Sequence, residues 1–504
     1  MPLLSLLKRN ILLLVVFLTG AAVLIIEVAA TRILSPYFGN TIFTVSSVIS
    51  VILLALSIGY SVGGKIADKK GSESLFYYLI LAGGVSVLAL HSLSSFILPY
   101  VNAFFSLKEG PLVASILLFF LPGVLLGMLS PLVVTLQKKR AKTGVGEAAG
   151  NVFFWSTLGS ITGSLGTGFV LIPQFGINVI MFSVGIFLSL LGIAGLAMSK
   201  NFSNARKELI GIFIFFAIAN GIFISITEAN AKDTYVYYGD GLYDSIAIYD
   251  GTYRGHPTRF LRQSTDASSA IHLNSDDLAF EYTNYYALHK LTSADLKRAL
   301  IIGGGAYSVP NRLVREDADV IVDVAEIEPD LYQLSKQYFG VTDDPRLQNH
   351  VEDGRRFLQN SEGEYDLIFV DAFHTSIPSH LMTKEFYELS REKLSDNGIF
   401  VMNIIGPLDD AQPTFTWSAI NTVQSAFPNH YFFAVDTPES TRVQNIMLVG
   451  RKSDLPLSFT TNDAFLRTVS DHVITIPDNA FDGQLIFTDD YAPVEYLISQ
   501  RFKR

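Results

Sequence analysis

Three acids and a glycine triplet between Ala299 and Phe373 have the types and spacing to hold a nucleoside and take a proton beside it. The triplet Gly303-Gly304-Gly305 follows the apolar run Ala299-Leu300-Ile301-Ile302. Glu326 closes Val322-Asp323-Val324-Ala325, the pair Asp353-Gly354 follows 348–351, and Asp371 closes Leu367-Ile368-Phe369-Val370. A turn of glycines lets backbone approach a ligand, and the helix after it can aim N–H groups at that ligand. An acid ending the second strand stands where a carboxylate accepts both hydroxyls of a ribose. Glu326 takes this role ahead of Glu328 because it ends the strand. Asp353 can accept from an adenine amino group, with Gly354 letting the ring lie against backbone. Asp371 projects beside the reactive end, where a carboxylate within hydrogen-bond reach can take a proton. The triplet is not the dinucleotide fingerprint, because the third glycine of G-x-G-x-x-G is missing.

Such end points need an open sheet, since these folds bind ligands beyond the carboxyl ends of their strands. From residue 298 onward strand-like runs alternate with helical patterns, as in βαβ units. Strands are expected near 298–302, 320–325, 366–370, 398–403, 430–435 and 444–449. With helices near 383–394 and 413–426 they complete a doubly wound, Rossmann-like α/β domain over 291–504. Ahead of it, 234–275 alternates polar and apolar residues with turns between, which predicts a small antiparallel β-region. A helix over 277–291 completes that region, at 231–290.

The first half must be something else. Residues 1–232 carry 15 Lys/Arg against 7 Asp/Glu, and residues 233–504 carry 22 against 40. Seven apolar segments, at 11–31, 42–63, 75–98, 112–136, 149–173, 177–198 and 208–226, each approach the ~20 residues a helix needs to cross a bilayer. An all-α multi-span membrane domain over 1–230 is therefore expected, with lipid as its partner. Lys/Arg cluster at Lys8-Arg9, in 65–70, in 138–142 and in 200–207, which places the N-terminus in the cytoplasm. Seven spans then place residues 230–504 outside. The glycines of 150–168 predict a helix-packing face. Glu27, with Arg32 five residues on, is an intramembrane candidate for function, weighed equally against a structural pair at a helix end.

Composition removes some chemistry. The acidic second half lacks the basic footprint of a nucleic-acid binder. Zero Cys excludes disulfides and thiolate catalysis. His374 and His380 have no third ligand at metal spacing, so no metal is expected.

The soluble half resembles the polyamine aminopropyltransferase (spermidine synthase) family, and the whole chain resembles its membrane-fused, multi-span branch. The shared motifs stand here as 302–305, Ala325-Glu326-Ile327-Glu328-Pro329, Asp344-Pro345-Arg346, Asp353-Gly354 and 365–371. The resemblance implies a fold like that of S-adenosylmethionine-dependent methyltransferases. It also implies decarboxylated S-adenosylmethionine (or S-adenosylmethionine) as co-substrate and an amine, a polyamine among the options, as acceptor. A second copy of the chain is an open partner. Glu326 matches the ribose acid, Asp353 and Gly354 the adenine pair, and Asp371 the proton acceptor. Three positions depart from the pattern: Ala306 replaces an acid and Tyr307 the glycine after it, His374 replaces the second acid of D-x-x-D, and Tyr282-Thr283-Asn284 replaces Y-H-E. All three serve the amine side. Candidate replacements there are Asp244, Asp266, His374, Asp489 and Asp490, with a helix cap and solvated turn favoured for the last two.

Two other functions stay open on sequence alone. One is a different S-adenosylmethionine-dependent transferase, such as a methyltransferase. The other is a transporter or sensor whose soluble domain binds a nucleoside or polyamine.

Overall fold

A computed structural model describes residues 2–141, 144–198, 204–263, 266–292, 295–372, 378–408 and 413–499. The chain forms two compact units, Met1–Thr234 and Tyr235–Arg504.

The first unit is helical: α1 (Pro2–Phe38), α2 (Ile42–Lys70), α3 (Glu73–Phe104), α4 (Gly110–Gly127), α5 (Leu129–Ala141), α6 (Val145–Gly166), a short α7 (Ile172–Gln174), α8 (Ile177–Met198) and α9 (Asn204–Thr234). Thr41 and Ser72 cap α2 and α3 by accepting from Thr44 N and Leu75 N, which satisfies donors a helix start leaves orphaned. Seven spans were expected. Among the described residues, five helical stretches are long and apolar enough to cross a membrane: Ile11–Phe38, Ile42–Lys70, Glu73–Phe104, Gly110–Arg140 and Ile177–Met198. The segment expected at 149–173 is α6, diluted by Asn151, Ser156, Thr157, Ser160, Thr162 and Ser164 and interrupted by the π-helical turn Thr167–Leu171. The segment at 208–226 lies in α9, which is not among the five.

Of the glycines expected to form a packing face, Gly159 and Gly163 do so, while Gly150, Gly166 and Gly168 have open space around them. A Cβ on Gly159 or Gly163 would collide with the backbone oxygen of Phe17 or Ala21 on α1. Ser160 Oγ donates to Gly20 O across the same seam, at 3.2 Å. The outward faces are apolar, with Leu53, Leu54, Leu117, Leu121, Phe153 and Phe154 all exposed. Apolar surface of that extent marks contact with lipid or protein rather than water. Glu27 and Arg32 are both half-buried on α1.

The second unit opens with an antiparallel sheet, β1 (Tyr237–Asp240), β2 (Ser245–Tyr253), β3 (His256–Gln263) and β4 (Asp266–His272), in sequence order. The helix expected over 277–291 is a 3₁₀ helix, Glu281–Leu291. The main sheet has strands β5 (Arg298–Ile302), β6 (Ile321–Glu326), β7 (Leu347–Val351), β8 (Tyr365–Val370), β9 (Leu394–Gly406), β10 (Asn429–Ala434) and β11 (Gln444–Arg451). Their order is β10-β11-β9-β8-β5-β6-β7. Pairs from β7 to β9 are parallel, while β11 runs antiparallel to β9 and β10. The sheet is therefore the Rossmann-like one expected, with an antiparallel edge at β11 and β10 that makes it mixed. No helix separates β10 from β11 in the described chain, and a parallel return needs a crossover. Helices α10 (Ser308–Glu316), α11 (Leu331–Tyr338), α12 (Gly354–Asn360), α13 (Lys384–Lys393) and α14 (Phe415–Ala426) connect the strands, and α15 (Ala464–Val469) and α16 (Val494–Ser499) follow. Two apolar clusters flank the sheet, one holding Ile301, Val324, Phe369 and Val401, the other Leu300, Ile368, Phe400 and Leu448. Alternation along each strand sends neighbours to opposite faces. The order reverses between β5 and β8, which opens the crevice where such sheets bind ligands.

Candidate active site

The glycine loop is stitched to its neighbours by backbone. Gly303 N donates to Ala325 O at 3.0 Å, and Asp371 N donates to Ile302 O at 2.9 Å. Gly303 has φ +95 and no room for a Cβ, which would collide with Asp371 O. The β5 turn and the end of β8 thus lie in contact only because residue 303 is glycine. Tyr307 holds φ +56, a left-handed conformation that favours glycine. Its ring is fully buried beneath Gly304, and its hydroxyl donates to Asn349 Oδ1. The departure at 306–307 is thus absorbed as packing, with Ala306 also fully buried.

Glu326, the last residue of β6, is 6% exposed. Its Oε2 accepts from Gly304 N at 2.7 Å and Gly305 N at 3.3 Å, and its Oε1 accepts from Glu328 N at 2.8 Å. The carboxylate therefore shapes the glycine loop. Glu328 does different work. It is 1% exposed and accepts from Leu242 N and Tyr243 N, both at 2.9 Å, which ties the β1–β2 turn to the main sheet. Burial pushes its carboxyl above the usual range, against the two backbone donors.

Asp353 caps α12, its Oδ1 accepting from Arg356 N at 3.0 Å, and its Oδ2 meets His380 Nε2 at 2.8 Å. The His380 contact holds its carboxyl below the usual range. Gly354 is buried, and a Cβ there would collide with Ile302 Cγ2. Gly354→Ala should therefore lower stability by about 1–3 kcal/mol, as overpacking does. Thermal unfolding of the variant tests this, and an unchanged midpoint would show that Ile302 yields freely.

Asp371 is the centre of a polar chain. Its Oδ2 accepts from Tyr282 Oη at 2.9 Å, and its Oδ1 accepts from Asn403 Nδ2 at 3.0 Å. Asn403 Oδ1 accepts in turn from Asn445 Nδ2 at 2.9 Å, so the Asn403 amide is held with its donor toward Asp371. Burial first, and Asp371 second, push the Tyr282 hydroxyl far above its ordinary pKa, so it remains a donor. A carboxylate offers about four acceptor positions, enough to hold these donors and an amine together. Asp371 opens on a cavity of about 300 Å³, whose wall includes Gln263, Ser268, Tyr282, Asn403 and Asn445.

The amine-side candidates scatter. Asp244 lies in the β1–β2 turn, its carbonyl accepting from Gly241 N. Asp266 opens β4, but its side chain is outside the described residues, as is the whole of His374. Asp489 is held by Arg355 through two bonds of 2.6 Å and by Thr383 Oγ1 at 2.7 Å, a structural anchor. Asp490 is exposed. None of the last two lines the cavity. Tyr282, Asn403, Asn445 and Gln263 were not singled out as site residues from sequence. Asn403 carried a signal, being the one polar residue inside Ile399-Phe400-Val401-Met402-Asn403-Ile404-Ile405.

Known proteins are similar to this chain in sequence. A polyamine aminopropyltransferase of Streptomyces coelicolor is 25% identical over 450 residues, 85% of this chain and 82% of that one. One of Vibrio vulnificus is 31% identical over 179 residues, 32% of this chain and 56% of its own length. The crystal structure of a probable spermidine synthase from Corynebacterium glutamicum aligns with a TM-score of 0.39 at 19% identity, over 53% of this chain and 92% of that one. The family signature described as Spermine/spermidine synthase domain matches residues 282–458. That match begins at Tyr282 and takes in the glycine loop, Glu326, Asp353, Asp371 and both asparagines, so residues 282–458 carry a spermine/spermidine synthase domain.

Proposed function

We propose that the protein is a membrane-anchored aminopropyltransferase that uses decarboxylated S-adenosylmethionine and releases methylthioadenosine. The observation that supports this is Asp371, fixed by Tyr282 and Asn403 on the wall of the cavity. Glu326 would take the ribose hydroxyls and Asp353 the adenine amino group. The donor's aminopropyl carbon, bonded to a sulfonium, would then face Asp371. An amine cannot attack until it has lost a proton. Asp371 holds the acceptor nitrogen and takes that proton as the C–N bond forms. The C–S bond breaks and its electron pair stays on sulfur, which leaves as a neutral thioether. No acid is needed for that leaving group, so most of the rate comes from aligning nitrogen, carbon and sulfur. The five apolar helical stretches support the membrane anchor. Incubating the full-length protein with the sulfonium donor and a panel of amines tests the reading. Methylthioadenosine should appear only when donor and amine are both present, and its absence with every amine would remove the assignment.

A further inference from the structure

The wall of the cavity onto which Asp371 opens also holds an ion pair, Arg254 with Glu281, Nη1 to Oε2 at 2.8 Å. Arg254 sits where its type is unexpected. Tyr253 pairs with His256, so Arg254-Gly255 is a two-residue hairpin loop, with φ of +50 and +86. Such loops favour Asn, Asp or Gly first, since a side chain at positive φ costs about 1 kcal/mol or more. Both partners remain open, with side chains 60% and 43% exposed. An exposed pair contributes about 0–1 kcal/mol, and the guanidinium also lies over the Tyr253 ring, 5.6 Å from its centroid, which keeps it on the cavity side of the hairpin. The pair is also close to the chemistry. Glu281 directly precedes Tyr282, which donates to Asp371. Tyr253 and Phe280, with ring centroids 5.5 Å apart, form an apolar wall of the same cavity.

On the aminopropyl-transfer reading, we propose that the acceptor is an α,ω-diamino acid. Its ω-nitrogen lies at Asp371, and its methylenes run along Tyr253 and Phe280. Its α-carboxylate meets Arg254 and its α-ammonium meets Glu281. A plain diamine would bring a second ammonium up to the Arg254 guanidinium. The reacting step is the one above: the ω-nitrogen bonds to the aminopropyl carbon, the C–S pair stays on sulfur, and the released proton passes to Asp371.

The experiment measures methylthioadenosine from the full-length protein with lysine, ornithine, 1,4-diaminobutane and 6-aminohexanoate. The diamino acids should exceed the diamine in kcat/KM by about tenfold or more, the scale of one charge-assisted hydrogen bond. Arg254→Asn suits the turn and should abolish that preference. Glu281→Gln should narrow the gap between the diamino acids and 6-aminohexanoate. Product from the diamine in preference, with the ratio unmoved in Arg254→Asn, overturns the acceptor assignment and leaves aminopropyl transfer standing. No product with any acceptor overturns the transfer reading and this assignment together.

Discussion

Asp371→Asn should lower kcat by about 10²–10⁴-fold, the range that a positioned general base supplies. The substitution keeps the size of the side chain and one carbonyl oxygen for Tyr282 or Asn403. It removes the charge that holds an ammonium and the basic site that accepts its proton. Donor KM should change little, because the proposed mechanism gives the reacting end to Asp371 and the ribose to Glu326. The variant should also acquire a distinctive pH dependence. Without a base, rate follows the fraction of free amine, which rises about tenfold per pH unit below an amine pKa near 10. Steady-state kinetics between neutral and alkaline pH measures both effects. Full turnover at neutral pH in the variant would remove Asp371 from the mechanism.

Glu326→Ala should damage the protein twice. Three backbone N–H groups, of Gly304, Gly305 and Glu328, lose their acceptor in a site where the carboxylate is 6% exposed. An unsatisfied buried donor costs about 1–3 kcal/mol, so the unfolding midpoint should fall clearly. The glycine loop also loses the group that shapes it, and the ribose loses its acceptor, so donor KM should rise by about tenfold or more. Glu326→Gln separates the two effects. Its carbonyl oxygen can still serve Gly304 and Gly305, while its amide group meets the Glu328 N–H donor to donor. Stability between that of wild type and Ala, with donor affinity still weakened, is the expected pattern. Wild-type donor affinity in both variants would move the ribose elsewhere.

The positions of these acids were legible in the sequence because Glu326 and Asp371 end strand-like runs and Asp353 closely follows another. Strand periodicity sends such residues to one edge of the sheet, so Glu326, Asp353 and Asp371 could be placed by counting. The amine side was not legible, because its residues come from elements far apart in the chain. Tyr282 comes from a 3₁₀ helix, Asn403 from β9 and Asn445 from β11. Asn403 and Asn445 come together only because β11 runs antiparallel beside β9, which a count of strands does not reveal. Asp489, for which a cap and solvated turn was favoured over an amine contact, is held by Arg355, more than a hundred residues earlier. Gly354 was expected to let a ring lie against backbone, and the close neighbour found at its Cα is the Ile302 side chain. In the first unit, hydropathy marked the helical segments, while the small polar residues of α6 separated helix from qualifying span.

The central claim is that this protein breaks a C–S bond to an aminopropyl group and keeps the methyl on sulfur. Mass spectrometry of the nucleoside product tests it most directly. Full-length protein is supplied with decarboxylated S-adenosylmethionine, S-adenosylmethionine and the acceptor panel together. Methylthioadenosine with an acceptor heavier by one aminopropyl group, absent in Asp371→Asn, is the predicted result. S-adenosylhomocysteine with a methylated acceptor would contradict it.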